Sequence, residues 1–202
     1  MKKTFASISL AFLFTTTAIA AEPMDTATVG GRTPVNAYSN KLKLSGGPMW
    51  TDSKVYVTSE RYYKFRTGFD VMLDFQHLWQ RGFGLGIDYA YHRTSFEGWG
   101  HYTLIYVGPS FVYANRSIDR FTFDAAFGVG YAYYTEPGYD LNGMGFMFKA
   151  GAEYQLTSHF GLGVELSRLI TRFREPKGFS LPDDGNFGFA RFGVLAGLRF
   201  YF

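Results

Sequence analysis

The chain has no cysteine. A disulfide framework and thiolate metal sites are thereby excluded. Histidine is scarce too. His77, His92, His101 and His159 show no ligand spacing, so no metal or other cofactor is expected. Charged residues make up only 18% of the sequence. Long apolar runs are missing as well: after residue 20, no stretch holds 18 consecutive apolar residues. The mature protein therefore has no membrane-spanning helix, and any span has to come from a closed barrel, the other structure that satisfies every backbone polar group in lipid. The glycine run GFGLG, Gly82 to Gly86, has no following helix and so is not a dinucleotide fingerprint.

What is present is aromatic and glycine-rich: 22 Phe, 15 Tyr and 24 Gly. At the N-terminus, Lys2 and Lys3 precede an apolar run from Phe5 to Phe14 and then Ala18-Ile19-Ala20. This order reads as a signal peptide over residues 1–20, too short to anchor a helix in the bilayer. Its removal takes the net charge from +3 to +1, which gives no reason to expect a nucleic-acid partner. Residues 21–40 are polar and punctuated by Gly and Pro, and read as a short periplasmic N-terminal tail.

From residue 41 the dominant signal is a period of two. Phe65, Thr67, Phe69, Val71, Leu73 and Phe75 alternate with Arg66, Asp70, Asp74 and Gln76. Phe83, Leu85, Ile87, Tyr89 and Tyr91 alternate with Gly84, Gly86, Asp88 and His92. The pattern recurs from Phe121 to Tyr133, from Phe146 to Tyr154 and from Phe160 to Leu166. It predicts eight strands, near 41–51, 64–77, 83–94, 101–114, 121–134, 143–155, 160–172 and 188–202. The connections alternate between a longer set (52–63, 95–100, 135–142, 173–187) and a shorter one (78–82, 115–120, 156–159). An even strand number with short turns on one side and longer loops on the other matches an all-β, eight-stranded antiparallel up-and-down transmembrane β-barrel over residues 41–202.

Which face holds the charge separates this from a soluble barrel, which turns its apolar residues inward. One face here is almost entirely Phe, Leu, Val, Ala and Tyr; the other mixes charge with Gly. Eight strands leave an interior that side chains only just fill, so Phe belongs outside and Gly inside. The inward set is Lys64, Arg66, Asp70, Asp74, Asp88, Asp124, Lys149, Glu153, Glu165, Arg191 and Arg199. Its near balance of acids and bases suggests a plug of paired charges.

The C-terminal stretch GVLAGLRFYF, Gly193 to Phe202, places apolar residues at every second position and closes on Phe. It resembles the terminal signature of bacterial outer-membrane proteins, carried here by Val194, Leu198, Phe200 and Phe202. With the strand pattern, the chain resembles the small eight-stranded OmpA/OmpX-like barrel family. That resemblance implies an outer-membrane location and recognition by the barrel-assembly machinery. The peptidoglycan-binding domain of OmpA-type proteins is not expected here.

The expected function is structural or surface-interacting, through an extracellular ligand of loops 52–63 and 173–187, in a monomer with both termini periplasmic. The alternatives are a lipid A-modifying enzyme and a narrow pore. The nearest catalytic material is His92, Ser95, Glu97 and His101, which matches no motif, so no catalytic residue is assigned. If the 156–159 turn centres on Thr157, Lys149 faces Glu165; by the same logic Asp70 faces Asp88 and needs a base such as Lys149 or Arg66. Arg93, Arg168 and Arg172 share the lipid-facing parity near the outer rim and are expected to contact lipopolysaccharide, beside an aromatic girdle of Tyr91, Trp99, Tyr133 and Tyr134.

Overall fold

Strict alternation lets each strand bury one face while leaving the other apolar, which is what a wall between two unlike media requires. A computed structural model describes residues 39–51, 55–58, 61–63, 66–79, 82–96, 100–118, 120–136, 139–173 and 188–202. The wall strands are β1 (Asn40–Thr51), β4 (Arg66–Leu78), β5 (Phe83–Phe96), β6 (Gly100–Ile118), β7 (Phe121–Glu136), β8 (Tyr139–Gln155), β9 (Phe160–Phe173) and β10 (Ala190–Tyr201). They close into one antiparallel barrel in the order β1-β10-β9-β8-β7-β6-β5-β4. Two short strands, β2 (Val55–Thr58) and β3 (Arg61–Tyr63), form a separate hairpin within the segment expected to be a plain loop. The expected signal peptide and residues 21–38 of the expected tail lie outside the described residues, as do Lys64, Glu97 and Trp99.

The first and last wall strands close the ring. Asn40 and Phe202 exchange backbone bonds in both directions, at 3.0 and 3.1 Å. The same end carries the tight connections. One is closed by the Trp79 amide on the Phe83 carbonyl, with Gly82 at φ +82°; the left-handed backbone there suits glycine. Another joins β8 to β9. Leu156 and Phe160 bond across it, and the Thr157 hydroxyl accepts from the Phe160 amide at 3.1 Å.

Two prolines interrupt the wall ladder without shifting its register. Between β1 and β10 the pairing passes from Gly46↔Ala196 to Met49↔Gly193, skipping Pro48. Between β6 and β7 it passes from Val107↔Tyr131 to Ser110↔Gly128, skipping Pro109. Proline has no N–H for the ladder. By strand order the two seams stand on opposite sides of the ring.

The exterior is a sheath of Phe, Leu, Val, Ile and Tyr, with Phe69, Leu85, Ile87, Tyr131 and Val164 each more than half exposed. The interior holds the charge. Tyr134, expected in the outer girdle, is instead buried in the lumen. Its even number on β7 puts it on the face of Asp124, Gly128 and Ala132, whereas Tyr133 shares the outward face of Tyr131.

Candidate functional site in the barrel lumen

Alternation aims one side chain in two at the barrel axis, so each inward charge must meet a partner from across the lumen. The lumen divides into layers. Nearest Asn40 and Phe202, the Lys41 ammonium donates to Asp124 at 3.1 Å and to both Glu153 oxygens at 3.0 Å. Lys43 bridges Asp124, at 3.0 Å, and Glu165. The Arg199 guanidinium donates to Glu153 at 3.0 Å and to the Ser45 hydroxyl at 2.9 Å. Gly163 makes room for it: a β-carbon there would lie 2.9 Å from two guanidinium nitrogens. Glycine on the inward face thus determines where a large charged head can fit.

In the middle layer the Lys149 ammonium lies 2.7 Å from Asp74 and 2.9 Å from Asp88. The Ser110 hydroxyl also donates to Asp88, at 2.9 Å. Farther from Asn40 and Phe202, Asp70 is held from two sides, by His92 Nδ1 at 2.6 Å and by the Arg191 guanidinium. The Tyr102 hydroxyl meets that of Thr51 at 2.9 Å. Buried Met72, Met147, Leu104, Leu169 and Leu195 join the same apolar cluster as the rings above.

The far end of the lumen is covered by four buried rings. Tyr102 and Tyr134 both stack on Phe189, at 5.7 and 5.0 Å between centroids. Phe173 meets Phe189 edge-on at 5.9 Å. Ring pairs of this kind contribute about 0.5–1.5 kcal/mol each beyond the area they bury.

Among the described residues the buried charged set comprises Asp70, Asp74, Asp88, Asp124, Glu153, Glu165, Lys41, Lys43, Lys149, Arg191 and Arg199, with His92 beside them. Nine of these stand among the residues read as inward from the sequence: Asp70, Asp74, Asp88, Asp124, Lys149, Glu153, Glu165, Arg191 and Arg199. Arg66 lies at the start of β4, opposite Thr51. Lys41 and Lys43 were missed, although they anchor the layer nearest Asn40 and Phe202. Their signal is alternation with Leu42 and Leu44, obscured by Gly46 and Pro48 just downstream.

The expected pairings need correction. The β8–β9 register places Lys149 opposite Ser167, and Glu165 opposite Gly151. Lys149 instead reaches across to Asp74 and Asp88, while Glu165 is taken by Lys43. Asp70 faces His92 rather than Asp88; the opposed like pair is Asp74↔Asp88. The turns centre on different residues than expected, and the slips are even-numbered, so every residue keeps its face.

Arg93 and Arg172 are exposed on the outward face and Arg168 is half-buried there. Arg93 is on β5, four strands around the ring from β9, so the structure does not gather the three into one site. His92 is fully buried beneath the rings, and His101 points outward from β6, so these two do not converge on one face. Val194, Leu198, Phe200 and Phe202 are all exposed on the exterior.

A family profile described as outer membrane protein beta-barrel domain matches residues 8–200. Among solved structures, Neisserial surface protein A is similar at 12% identity with a TM-score of 0.58, over 81% of this chain and 97% of that one. OprG from Pseudomonas aeruginosa is similar at 12% identity and a TM-score of 0.50, over 82% and 97%. The outer membrane protein AlkL, solved in DMPC lipid bilayers, gives the same identity and score over 89% and 97%. No curated protein matches the chain in sequence.

Proposed function

The chain belongs to the outer membrane protein β-barrel family, and from that premise we propose that it is a closed, non-conducting barrel that presents its far-end loops at the bacterial surface. The observation that carries this reading is the filled lumen. Each acid named in the layers above lies within 4 Å of a base, and four packed rings lie over the end away from Asn40 and Phe202. Charges so paired and so buried stabilise a shape; a pathway for ions needs charges that water can reach.

In this reading the tight turns and both termini face the periplasm, and segments 52–63, 97–99, 137–138 and 174–187 face outward. Long outer loops are the rule for such barrels, and segments 52–63 and 174–187 are longer than any connection at the other end. The expected longer loops 95–100 and 135–142 narrow to three and two residues because their strands run further. Function then resides in those loops, on a rigid monomeric support, as is usual where a scaffold positions a binding surface. The exposed face of Val194, Leu198, Phe200 and Phe202 serves the barrel-assembly machinery, and the sheath meets outer-membrane lipid. No catalytic role is assigned: His92, held by the Asp70 carboxylate, is sealed inside.

The lack of native cysteine makes the test clean. Ser180→Cys, in the longest loop, should be labelled in intact cells by a membrane-impermeant maleimide, and Ser158→Cys, in the β8–β9 turn, only after the outer membrane is opened. The reverse labelling would overturn the orientation.

A further inference from the structure

Cations that face lipid are expensive at depth and mark a site where they occur. Arg168 is on the outward face of β9, with Phe148 as its register neighbour on β8 and Phe192 on β10. Phe192 in turn stacks on Trp50 at 6.3 Å. Arg172 lies one outward step beyond Ile170, opposite Met144, which is 57% exposed. Next to Met144 along the outward face of β8 is Asn142, whose side chain accepts from the Tyr131 hydroxyl of β7. Three adjacent strands therefore carry a polar ladder rising through an otherwise apolar wall.

Depth identifies the occupant. A rise of about 3.3 Å per residue and a tilt near 40° put Arg168 roughly 20 Å, and Arg172 roughly 30 Å, beyond the level of Phe160. The apolar band of such barrels is about 25 Å tall. One arginine thus lies just inside the far edge of that band and the other just outside it. The long Arg168 side chain can keep its stem against Phe148 and Phe192 while its head rises to the interface. Two guanidinium forks at headgroup level, above a ring-lined apolar wall, complement a phosphate attached to acyl chains.

We propose that Arg168 and Arg172, flanked by Asn142 and the Trp50–Phe192 pair, form a site for the phosphorylated headgroup of lipid A on the wall that runs from β8 through β9 and β10 to β1. The assignment to the outer-leaflet lipid rests on the orientation proposed above. Arg93, on the opposite wall, is not part of it.

The test uses the full chain folded in nanodiscs and three probes: bisphosphorylated lipid A, the same lipid A with its phosphates removed, and phosphatidylglycerol. Wild type is expected to bind bisphosphorylated lipid A at least tenfold more tightly than the dephosphorylated form, as for charge-assisted bonds at an interface. Arg168→Ala/Arg172→Ala should lose that preference, Arg168→Lys/Arg172→Lys should keep part of it, and Arg93→Ala should keep all of it. Heat-modified gel mobility confirms that each variant is folded. Equal affinity for the two lipid A forms, an unchanged preference in the double alanine variant, or tighter binding of phosphatidylglycerol would each overturn the site. Failure of the surface labelling alone would remove the outer leaflet as its setting and leave the phosphate preference standing.

Discussion

Asp74 and Asp88 face each other as register partners on β4 and β5, and one ammonium, that of Lys149 on β8, lies within 3 Å of both. Two like charges directly opposed destabilise a sheet unless a base intervenes. The base here comes from the other side of the lumen, so the contact also ties β8 to the β4–β5 hairpin.

Removing that base should therefore be severe. Lys149→Met is expected to destabilise the barrel by about 3–5 kcal/mol, since it leaves two buried carboxylates facing each other. Adding Asp74→Asn and Asp88→Asn to Lys149→Met should recover most of the loss. Urea unfolding of the lipid-reconstituted protein, followed by tryptophan fluorescence, measures both. Additive losses in the combined variant would show that the three groups do not act together.

The lumen should not conduct. In planar bilayers the purified protein is expected to give no stable step currents. Tyr134→Ala/Phe189→Ala should also stay closed, because the charged layers beneath the rings are untouched. That variant is expected to be less stable by about 3 kcal/mol or more, from the cavity it creates. Stable channels in wild type would reject the plugged lumen.

Glycine positions should differ in tolerance. At Gly163 an added β-carbon meets the far end of a side chain, that of Arg199. At Gly197 it would lie 1.9 Å from the Leu44 carbonyl, which is backbone. Gly163→Ala should cost about 1–3 kcal/mol and Gly197→Ala clearly more. Comparing their urea midpoints checks the order.

Restoring a missing donor should help. Pro48 and Pro109 each leave a step of the ladder unmade. Pro109→Val is expected to stabilise by about 0.5–1.5 kcal/mol through one new wall hydrogen bond. A lower unfolding midpoint would show that the proline ring itself stabilises that seam.

Most of the wall was legible because alternation is a local property. Phe121, Phe123 and Phe127 announce an outward face without reference to any other strand, and the structure places them there. Partners were not legible. Whether Lys149 meets Glu165 or reaches Asp74 depends on turn geometry at Leu156–Phe160 and on the width of the lumen, and neither is written in the parity of β8. Lys41 and Lys43 were missed for a related reason: glycine and proline weaken the alternation just where it would have shown them to be inward. Tyr134 was misplaced because proximity to the rim was read as a belt position, when its face alone decides.

The mutual bonds of Asn40 and Phe202 have one more consequence, for the cost of closing the ring. The seam between β1 and β10 joins the segments farthest apart along the barrel sequence, so its loop-closure entropy is the largest in the molecule. Without β10 the edges of β1 and β9 would be bare, and lipid cannot satisfy them. The pairing of β10 both closes the wall and brings Arg191 to Asp70 and Arg199 to Glu153.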